Sequence, residues 1–350
     1  MEPRVHPSTT AVTAGRPPRI PDNPVNTPIV PASTFHAEGP TEYAREGNPT
    51  AAAFEEALGA LEHGHATVFS SGMAAANAIL DLIPIGSTVI APTNTYTGVA
   101  VRLKELAERS AINLILIPAP DTQAILAALP QADFLWLESP TNPMLDEADI
   151  QKCLAAAQTH KVISVVDNTF ATPVTQRPLT MGADKVLHSV TKILSGHSDL
   201  LMGAVIASDP QRSEQIRIRR ILLGAMPSAF DCFLALRGLR TLYLRYEKSE
   251  SNARVIVSKL LGDSRVSRVR YPGWGTIAAI EVVGDADLVC KATNIWTYAT
   301  SLGGVESLLE RRRRWSLESE TVPENLIRLS LGIEHPDDLW TDLDSALNKA

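Results

Sequence analysis

Between about residue 65 and residue 207, short apolar runs of strand length alternate with stretches of helical period, and no other property of the chain limits its fold as much. The runs fall at 67–69, 88–91, 113–117, 134–138, 162–166, 185–188 and 203–207, and helical stretches at 73–82, 98–108 and 147–160 separate several of them. Short strands that alternate with helices predict an α/β protein whose mostly parallel sheet is covered on both faces. Ligands of such sheets bind beyond the carboxyl ends of the strands. Asp167 and the segment Ser189 to Lys192 both follow strands directly, which predicts both on the ligand-bearing edge.

The flanks read differently. Residues 1–48 are rich in Pro, Thr and Asn without a sustained period, which predicts an extended arm. Asn48-Pro49 then offers an N-cap followed by proline at the first helical position, and the helix should run through Phe54, Leu58 and Leu61 and stop near Gly64. After Met226-Pro227 the pattern predicts a long helical region from 229 to about 261, bent near Ser249. Strands near 266–269, 276–283 and 326–331 and a final helix over 336–347 follow. The expected organisation is an arm over 1–48, a large domain over 49–228, and a linker helix with a smaller α+β domain over 229–350. A chain of 350 residues, 45% hydrophobic, can fill both cores.

Charge and composition narrow the function. A net charge of −7 with both signs interspersed gives no footing for nucleic acid or a membrane surface, and the apolar runs are strand-sized. No charged start followed by an apolar core opens the sequence, and Cys153, Cys232 and Cys290 form no CxxC pair, so a reduced, cytoplasmic protein is expected. The eight histidines show no ligand spacing with cysteine or carboxylate, and no metal is expected.

The chemistry-bearing residues cluster after the strands. Lys192 follows His188, Ser189 and Thr191 where a strand gives way to Ser195-Gly-His-Ser198. A lysine there can hold an aldehyde as a Schiff base, and Ser189 and Thr191 can donate hydrogen bonds to a phosphate; pyridoxal phosphate carries both groups. A lysine ending a strand and pointing into water is the plainer alternative. Asp167 is either a helix cap or the partner of a protonated pyridine nitrogen. Phe69-Ser-Ser-Gly72-Met73 is a turn into a helix start, whose N–H groups attract a phosphate, although close packing also selects small residues. Tyr96 can stack on an aromatic cofactor and carry a proton, or simply pack in its turn. Asn142 can bond a ring oxygen or a substrate carboxylate, or shape its turn. Tyr43 and Arg45, two residues apart in a strand-like segment, suit a shared phosphate oxygen or form a solvated pair. Arg328, inside an apolar strand, needs an anion, from a substrate carboxylate or a structural salt bridge. The run Arg311 to Arg314 reads as a solvated face with no catalytic role, and His188 and His197 as structural.

Taken together, the blocks YAREGNPT from Tyr43, FSSGMAA from Phe69, ESPTNP from Glu138, VVDNTFATP from Val165, LHSVTKILSGHSD from Leu187, RGLRTL from Arg237, SLGGVESL from Ser301 and LIRLSLG from Leu326 closely resemble the Cys/Met-metabolism family of pyridoxal-phosphate enzymes. The resemblance implies the fold-type I transferase architecture, a mostly parallel seven-stranded sheet in a large domain plus a smaller α+β C-terminal domain. It implies that Lys192 binds the cofactor aldehyde, Asp167 the pyridinium, and that Tyr96 stacks on the ring, these three being the catalytic set. Gly72, Met73, Ser189 and Thr191 would bind the phosphate. Tyr43 and Arg45 would reach the phosphate of a neighbouring subunit, in a homotetramer built as a dimer of dimers with shared sites. Asn142, Ser301 and Arg328 would receive the carboxylate of a small sulfur amino acid.

The implied activity is that of cystathionine γ-lyase, with cystathionine γ-synthase as the alternative and β-lyase, methionine γ-lyase or a catalytically idle cofactor-binding protein behind it. The chain departs from the family pattern in four places. It reads Tyr96-Thr97-Gly98 for YGG and places Thr300 where many members have glutamate. It is short between Trp274 and Thr276, and it reads ERRRRWSLESETVPENLIRLS after Leu309. The last resembles actinobacterial γ-lyase-type proteins and leans the expectation toward elimination.

Overall fold

The computed structural model describes residues 5–350. A seven-stranded sheet contains β1 (His65–Phe69), β2 (Ser87–Pro92), β3 (Ile112–Ile117), β4 (Phe134–Glu138), β5 (Ile163–Asp167), β6 (Lys185–Ser189) and β7 (Gly203–Ala207). A five-stranded sheet contains β8 (Val266–Arg270), β9 (Ile277–Val282), β10 (Thr297–Tyr298), β11 (Leu308–Arg311) and β12 (Leu326–Ser330). The fold is α/β, with the larger sheet mostly parallel and a second, smaller sheet, as expected. The chain separates into two compact units.

The first unit takes the residues up to Ile85 and Leu154–Tyr243, and its strands run in the order β1-β7-β6-β5. β5 and β6 are parallel, while β7 is antiparallel to both β6 and β1. β7 is buried from end to end, and β5 and β6 at all but one position each, which is why they read as near-continuous apolar runs. Parallel pairing brings the ends of β5 and β6 to one edge, with Asp167 opposite Leu187 and two residues short of Ser189. The helix Pro49–Glu62 starts as its sequence predicts: the Asn48 side chain accepts from the Thr50 N–H at 2.9 Å and the Ala51 N–H at 3.4 Å. Phe54, Leu58 and Leu61, spaced to share one face, are all buried. Residues 5–48 are not uniformly extended, since Pro7–Thr13 is helical.

The second unit takes Gly86–Cys153 and Leu244–Ala350. Its part of the large sheet runs β4-β2-β3, all parallel, and its own five-stranded sheet runs β10-β11-β12-β9-β8. In the smaller sheet only the β10–β11 pair is parallel. Ile280, Leu309, Ile327 and Leu329 of this sheet pack with Leu339 and Leu343 of the last helix, Pro336–Leu347, in one core.

Two expectations require correction. The long helical region is two helices, Ala229–Leu239 and Leu242–Leu260, and the break falls at Arg240-Thr241, with Ser249 buried inside the second helix. The N–H and the hydroxyl of Thr241 both bond the Gly238 carbonyl, at 3.1 and 3.2 Å, which tightens and closes the last turn there. The strands β10 and β11 had no counterpart in the sequence reading, and β11 carries the start of the arginine run. Among the described residues no helix is long and apolar enough to cross a membrane.

The Asn48 cap gives a measurable consequence. Asn48→Ala removes both accepted bonds and the Nδ2 donation to the Val30 carbonyl at 2.8 Å, so urea unfolding should show a loss of about 1–2 kcal/mol. An unchanged midpoint would show that the arm and helix are held by packing alone.

Candidate active site

In the first unit, β1 leads through Ser70 and Ser71 into the helix Gly72–Leu80. The Ser71 hydroxyl oxygen accepts from the Ala74 N–H at 3.1 Å, and the Ser71 carbonyl takes the Ala75 N–H. The N–H groups of Gly72 and Met73 belong to the first turn, where a helix supplies no acceptor of its own. Gly72 lies against the end of β6: a Cβ added there would come within 2.9 Å of Ser189 Oγ. That space beside a hydroxyl and two helix N–H groups fits a phosphate. Gly203, which the sequence reading passed over, allows this turn to close on β7, because a Cβ at that position would meet the Ser71 carbonyl oxygen at 2.3 Å.

Lys192 is half-buried in the tight turn after β6, with its N–H on the Ser189 carbonyl at 3.1 Å and its carbonyl accepting from Gly196 at 2.9 Å. The Thr191 hydroxyl accepts from the Met202 N–H at 2.9 Å and donates to the Met202 carbonyl at 3.2 Å, so it fastens this turn to the start of β7. The Ser189 N–H is held by the Thr169 hydroxyl at 2.9 Å.

Asp167 ends β5 and is buried, accepting from the Thr169 N–H at 3.0 Å. Burial pushes its carboxyl above the usual carboxylate range, against the hydrogen bonds of Thr169 and the nearby His188, which pull it down. Among the described residues no lysine or arginine makes a salt bridge to it. A buried carboxylate in that position suits a protonated pyridine nitrogen. His188 is structural, as expected: it lies fully buried with Nε2 on Glu62 Oε1 at 2.6 Å, and Asn168 Nδ2 donates to the same oxygen at 3.0 Å. Tyr43 and Arg45 are exposed, and the Arg45 guanidinium sits 5.1 Å from the Tyr43 ring centroid. Tyr43 pairs with Thr34 in a single bridge, but Arg45 lies in the turn that follows rather than in an extended segment.

In the second unit, Tyr96 is the residue before the helix Thr97–Glu108 and is 42% exposed. Its N–H donates to Glu138 Oε2 at 2.8 Å, and the Thr95 hydroxyl bonds the same oxygen. The other oxygen of Glu138 accepts from the Asn142 N–H at 2.7 Å. Glu138 therefore fixes the Tyr96 turn and the Asn142 turn together. The signal was present in the sequence, as a carboxylate closing the otherwise apolar run Phe134-Leu-Trp-Leu.

Asn142, Ser301 and Arg328 lie together. Arg328, 3% exposed in the middle of β12, donates from Nη1 to Asn142 Oδ1 at 2.8 Å and from Nη2 to the Ser301 carbonyl at 2.9 Å. Nη2 also meets Glu310 Oε2, at 2.9 Å, from the facing position of β11. Burial and the neighbouring Arg312 pull the Arg328 pKa down to about 9, against the attraction of Glu310 and Glu318. The group stays charged at neutral pH but would gain from another anion.

The arginine run is the clearest correction. Arg311 and Arg313 are half-buried and both pair with the exposed Glu324, Arg311 also with Asp287. Arg312 is buried, its Nη1 on Glu310 at 2.7 Å and its Nη2 on Glu318 at 2.6 Å. Arg314 reaches the same Glu310 at 2.7 Å and stacks 4.4 Å from the Trp315 ring centroid. A 3-10 turn over Arg312–Arg314 follows β11, and around it Arg312 and Arg314 both reach Glu310 while Arg311 and Arg313 both reach Glu324. Burial alone would push Glu310 up, but Arg328 and Arg312, with bonds from Trp315 and Arg312, hold its carboxyl below the usual range.

Known proteins align with this arrangement over almost its whole length. A family model described as Cys/Met metabolism PLP-dependent enzyme matches residues 8–348. Cystathionine gamma-synthase of Mycobacterium leprae (strain TN) is 38% identical over 374 residues, covering 97% of this chain and 96% of its own. The crystal structure of cystathionine gamma synthase from Xanthomonas oryzae pv. oryzae in complex with cystathionine matches with a TM-score of 0.95 at 34% identity, covering 99% of each chain. That of a cystathione gamma lyase from Micromonospora echinospora matches with a TM-score of 0.93 at 37% identity, covering 98% of this chain and 99% of its own. The chain belongs to the Cys/Met-metabolism family of pyridoxal-phosphate-dependent enzymes.

Proposed function

We propose that the protein is a cystathionine γ-lyase, splitting L-cystathionine with water into L-cysteine, 2-oxobutanoate and ammonia. The observation that carries an amino-acid substrate is Arg328, a buried guanidinium bonded to Asn142 and Ser301 and set among more guanidinium than carboxylate charge. Such a group is stabilised by an incoming carboxylate. Elimination is supported by the segment after Leu309 and by the likeness to the Micromonospora echinospora lyase. The second reading, cystathionine γ-synthase joining O-succinyl- or O-acetylhomoserine to cysteine, is supported by the 38% identity with the Mycobacterium leprae enzyme. Thr300, in place of a glutamate, supplies no charge for a distal ammonium group, which leaves substrate selection to other residues.

In either reaction the side chains have the same tasks. Pyridoxal phosphate, when bound, supplies an electron sink that makes the substrate α-proton acidic. Lys192 would hold the cofactor through its ε-amino group, and that amine would serve as the base for the substrate α-proton. Asp167 keeps the proton on the ring nitrogen. The N–H groups of Gly72 and Met73, with the hydroxyls of Ser189 and Thr191, hold the phosphate, Thr191 giving up its 3.2 Å donation to Met202. Tyr96 stacks on the ring and its hydroxyl gives a proton to the departing thiolate. Asn142, Ser301 and Arg328 orient the substrate carboxylate.

Tyr43 and Arg45, exposed and stacked on one another, reach the phosphate of a neighbouring subunit in a homotetramer formed as a dimer of dimers. The enzyme works in the cytoplasm, with residues 1–48 as an intersubunit arm, 49–228 as the cofactor domain, and 229–350 as the linker helix and small domain.

Three measurements check this reading. Borohydride reduction followed by peptide mapping should place the cofactor label on Lys192; a label elsewhere defeats the mechanism. Asp167→Asn should weaken cofactor retention by about tenfold to a hundredfold, the worth of a charge-assisted hydrogen bond of roughly 1.5–3 kcal/mol, as read by absorbance titration. Incubation with L-cystathionine should release 2-oxobutanoate, whereas cystathionine formed from a homoserine ester and cysteine at a higher kcat/KM would establish the synthase instead.

A further inference from the structure

Within the second unit, hydrogen bonds run from the Tyr96 turn to Arg328 by two routes and close into a ring. One route is the Tyr96 N–H to Glu138 Oε2 at 2.8 Å, the Asn142 N–H to Glu138 Oε1 at 2.7 Å, and Arg328 Nη1 to Asn142 Oδ1 at 2.8 Å. The other leaves Arg328 through Nη2 to Glu310 Oε2 at 2.9 Å, which also accepts from Arg312 Nη1 at 2.7 Å. Arg312 then forks onto Glu318 Oε2, from Nε at 2.9 Å and Nη2 at 2.6 Å. Glu318 Oε1 accepts from the Thr97 hydroxyl at 3.3 Å, and Thr97 is the residue after Tyr96. A further contact braces the same turn, from the Thr321 hydroxyl to Asn94 Oδ1 at 2.6 Å.

The second route consists of residues from the arginine-rich segment, and its charged members are nearly inaccessible: Glu310 is 1%, Arg312 6% and Glu318 8% exposed. A buried ion pair contributes little net stability and is often replaceable by apolar side chains, so stability alone does not account for it. Its ends do. One terminates on the guanidinium that receives the carboxylate and the other on the turn that presents the Tyr96 ring. We infer that Arg312 and Glu318, acting through Glu310 and Thr97, are positioning residues that hold Tyr96 in register with Arg328, so that a carboxylate anchored at one end finds the proton donor placed at the other. The inference rests on the proposed roles of Arg328 and Tyr96. An anion reaching Arg328 draws on the guanidinium that Glu310 shares with Arg312, and the rearrangement is passed through the Arg312–Glu318 fork to Thr97.

The test uses the holoenzyme and the double variant Arg312→Met with Glu318→Met, which removes both buried charges together and leaves none unpaired. Thr97→Val, which deletes only the hydroxyl at the end of the route, serves if the double variant does not fold. Glycine, an amino acid with no side chain to eliminate, is the probe. Hydrogen–deuterium exchange of the peptide spanning Asn94 to Gly98 should slow when glycine binds the wild type and should not slow in either variant. With L-cystathionine, kcat should fall by about tenfold to a hundredfold, the cost of a modest misplacement of a catalytic group, while KM changes less. Arg312→Lys, which keeps the charge but not the fork, should recover only part of kcat. Glycine-dependent protection equal to wild type in a folded variant, or an unchanged kcat, overturns the inference. A wild type inert toward L-cystathionine but protected by glycine would defeat the substrate reading and leave the positioning role to be judged by exchange.

Discussion

A guanidinium in the middle of a strand that is otherwise apolar on both sides must be surrounded by acceptors or it will not stay there. Arg328 meets that condition with an amide oxygen, a backbone carbonyl and a carboxylate, each from a different segment of the second unit. Satisfying it dictates much of what lies nearby. It requires Asn142 at the mouth of a fixed turn after β4, Ser301 in a left-handed conformation with φ of 90° so that its carbonyl is presented, and Glu310 directly opposite on β11. Glu310 in turn draws in Arg312, Arg314 and the Trp315 indole N–H. Removing Glu310 would leave the buried Arg328 without its carboxylate, which is the costly outcome.

The two units are electrostatically complementary to different parts of the proposed chemistry. In the first, a buried carboxylate has hydrogen bonds but no salt-bridging lysine or arginine among the described residues, and its carboxyl is pushed upward. In the second, Arg312, Arg314 and Arg328 outnumber Glu310 and Glu318, and the Arg328 pKa is pulled downward. Under the proposed function each imbalance would be relieved by a ligand charge of opposite sign: a protonated ring nitrogen for Asp167 and a carboxylate for Arg328. Strain of this kind persists in a folded chain because the rest of the core outweighs it, and it is the usual mark of a place where binding is meant to occur.

Most of the fold was legible because it depends on local regularities. The buried strands read as continuous apolar runs, the Asn48-Pro49 start obeys capping chemistry, and Phe54, Leu58 and Leu61 keep helical spacing. That Arg328 needs a charged partner was readable from an arginine in an apolar strand; its grouping with Asn142 and Ser301 came only from the family resemblance. What escaped notice depends on tertiary pairing. β10 is too short to show a period and β11 is only four residues long, so the arginines that follow looked like a uniform charged face. The helix break at Arg240-Thr241 is set by a side-chain hydroxyl turned back onto a carbonyl, where Ser249 offered the more obvious interruption. Glu138 is visible in the sequence as a carboxylate closing an apolar run, but that its two oxygens serve two separate turns is visible only in space.

The arginine run also shows why identical neighbours in sequence are not equivalent in physics. Arg311 and Arg313 share the exposed Glu324, with Asp287 as a second partner of Arg311, and pairs with so exposed a carboxylate contribute little. Arg312 uses the planar fork of its guanidinium in two directions at once, one edge on Glu318 and the remaining nitrogen on Glu310, an arrangement that a lysine ammonium on its flexible stem does not reproduce. A change at 311 or 313 therefore alters surface charge, and a change at 312 alters the spacing between two carboxylates that bear on Arg328 and on the Tyr96 turn. The segment after Leu309, one of those that depart from the family pattern, thus leads, through the buried Arg312 and Glu318, to the two positions where substrate and proton donor are proposed to be set.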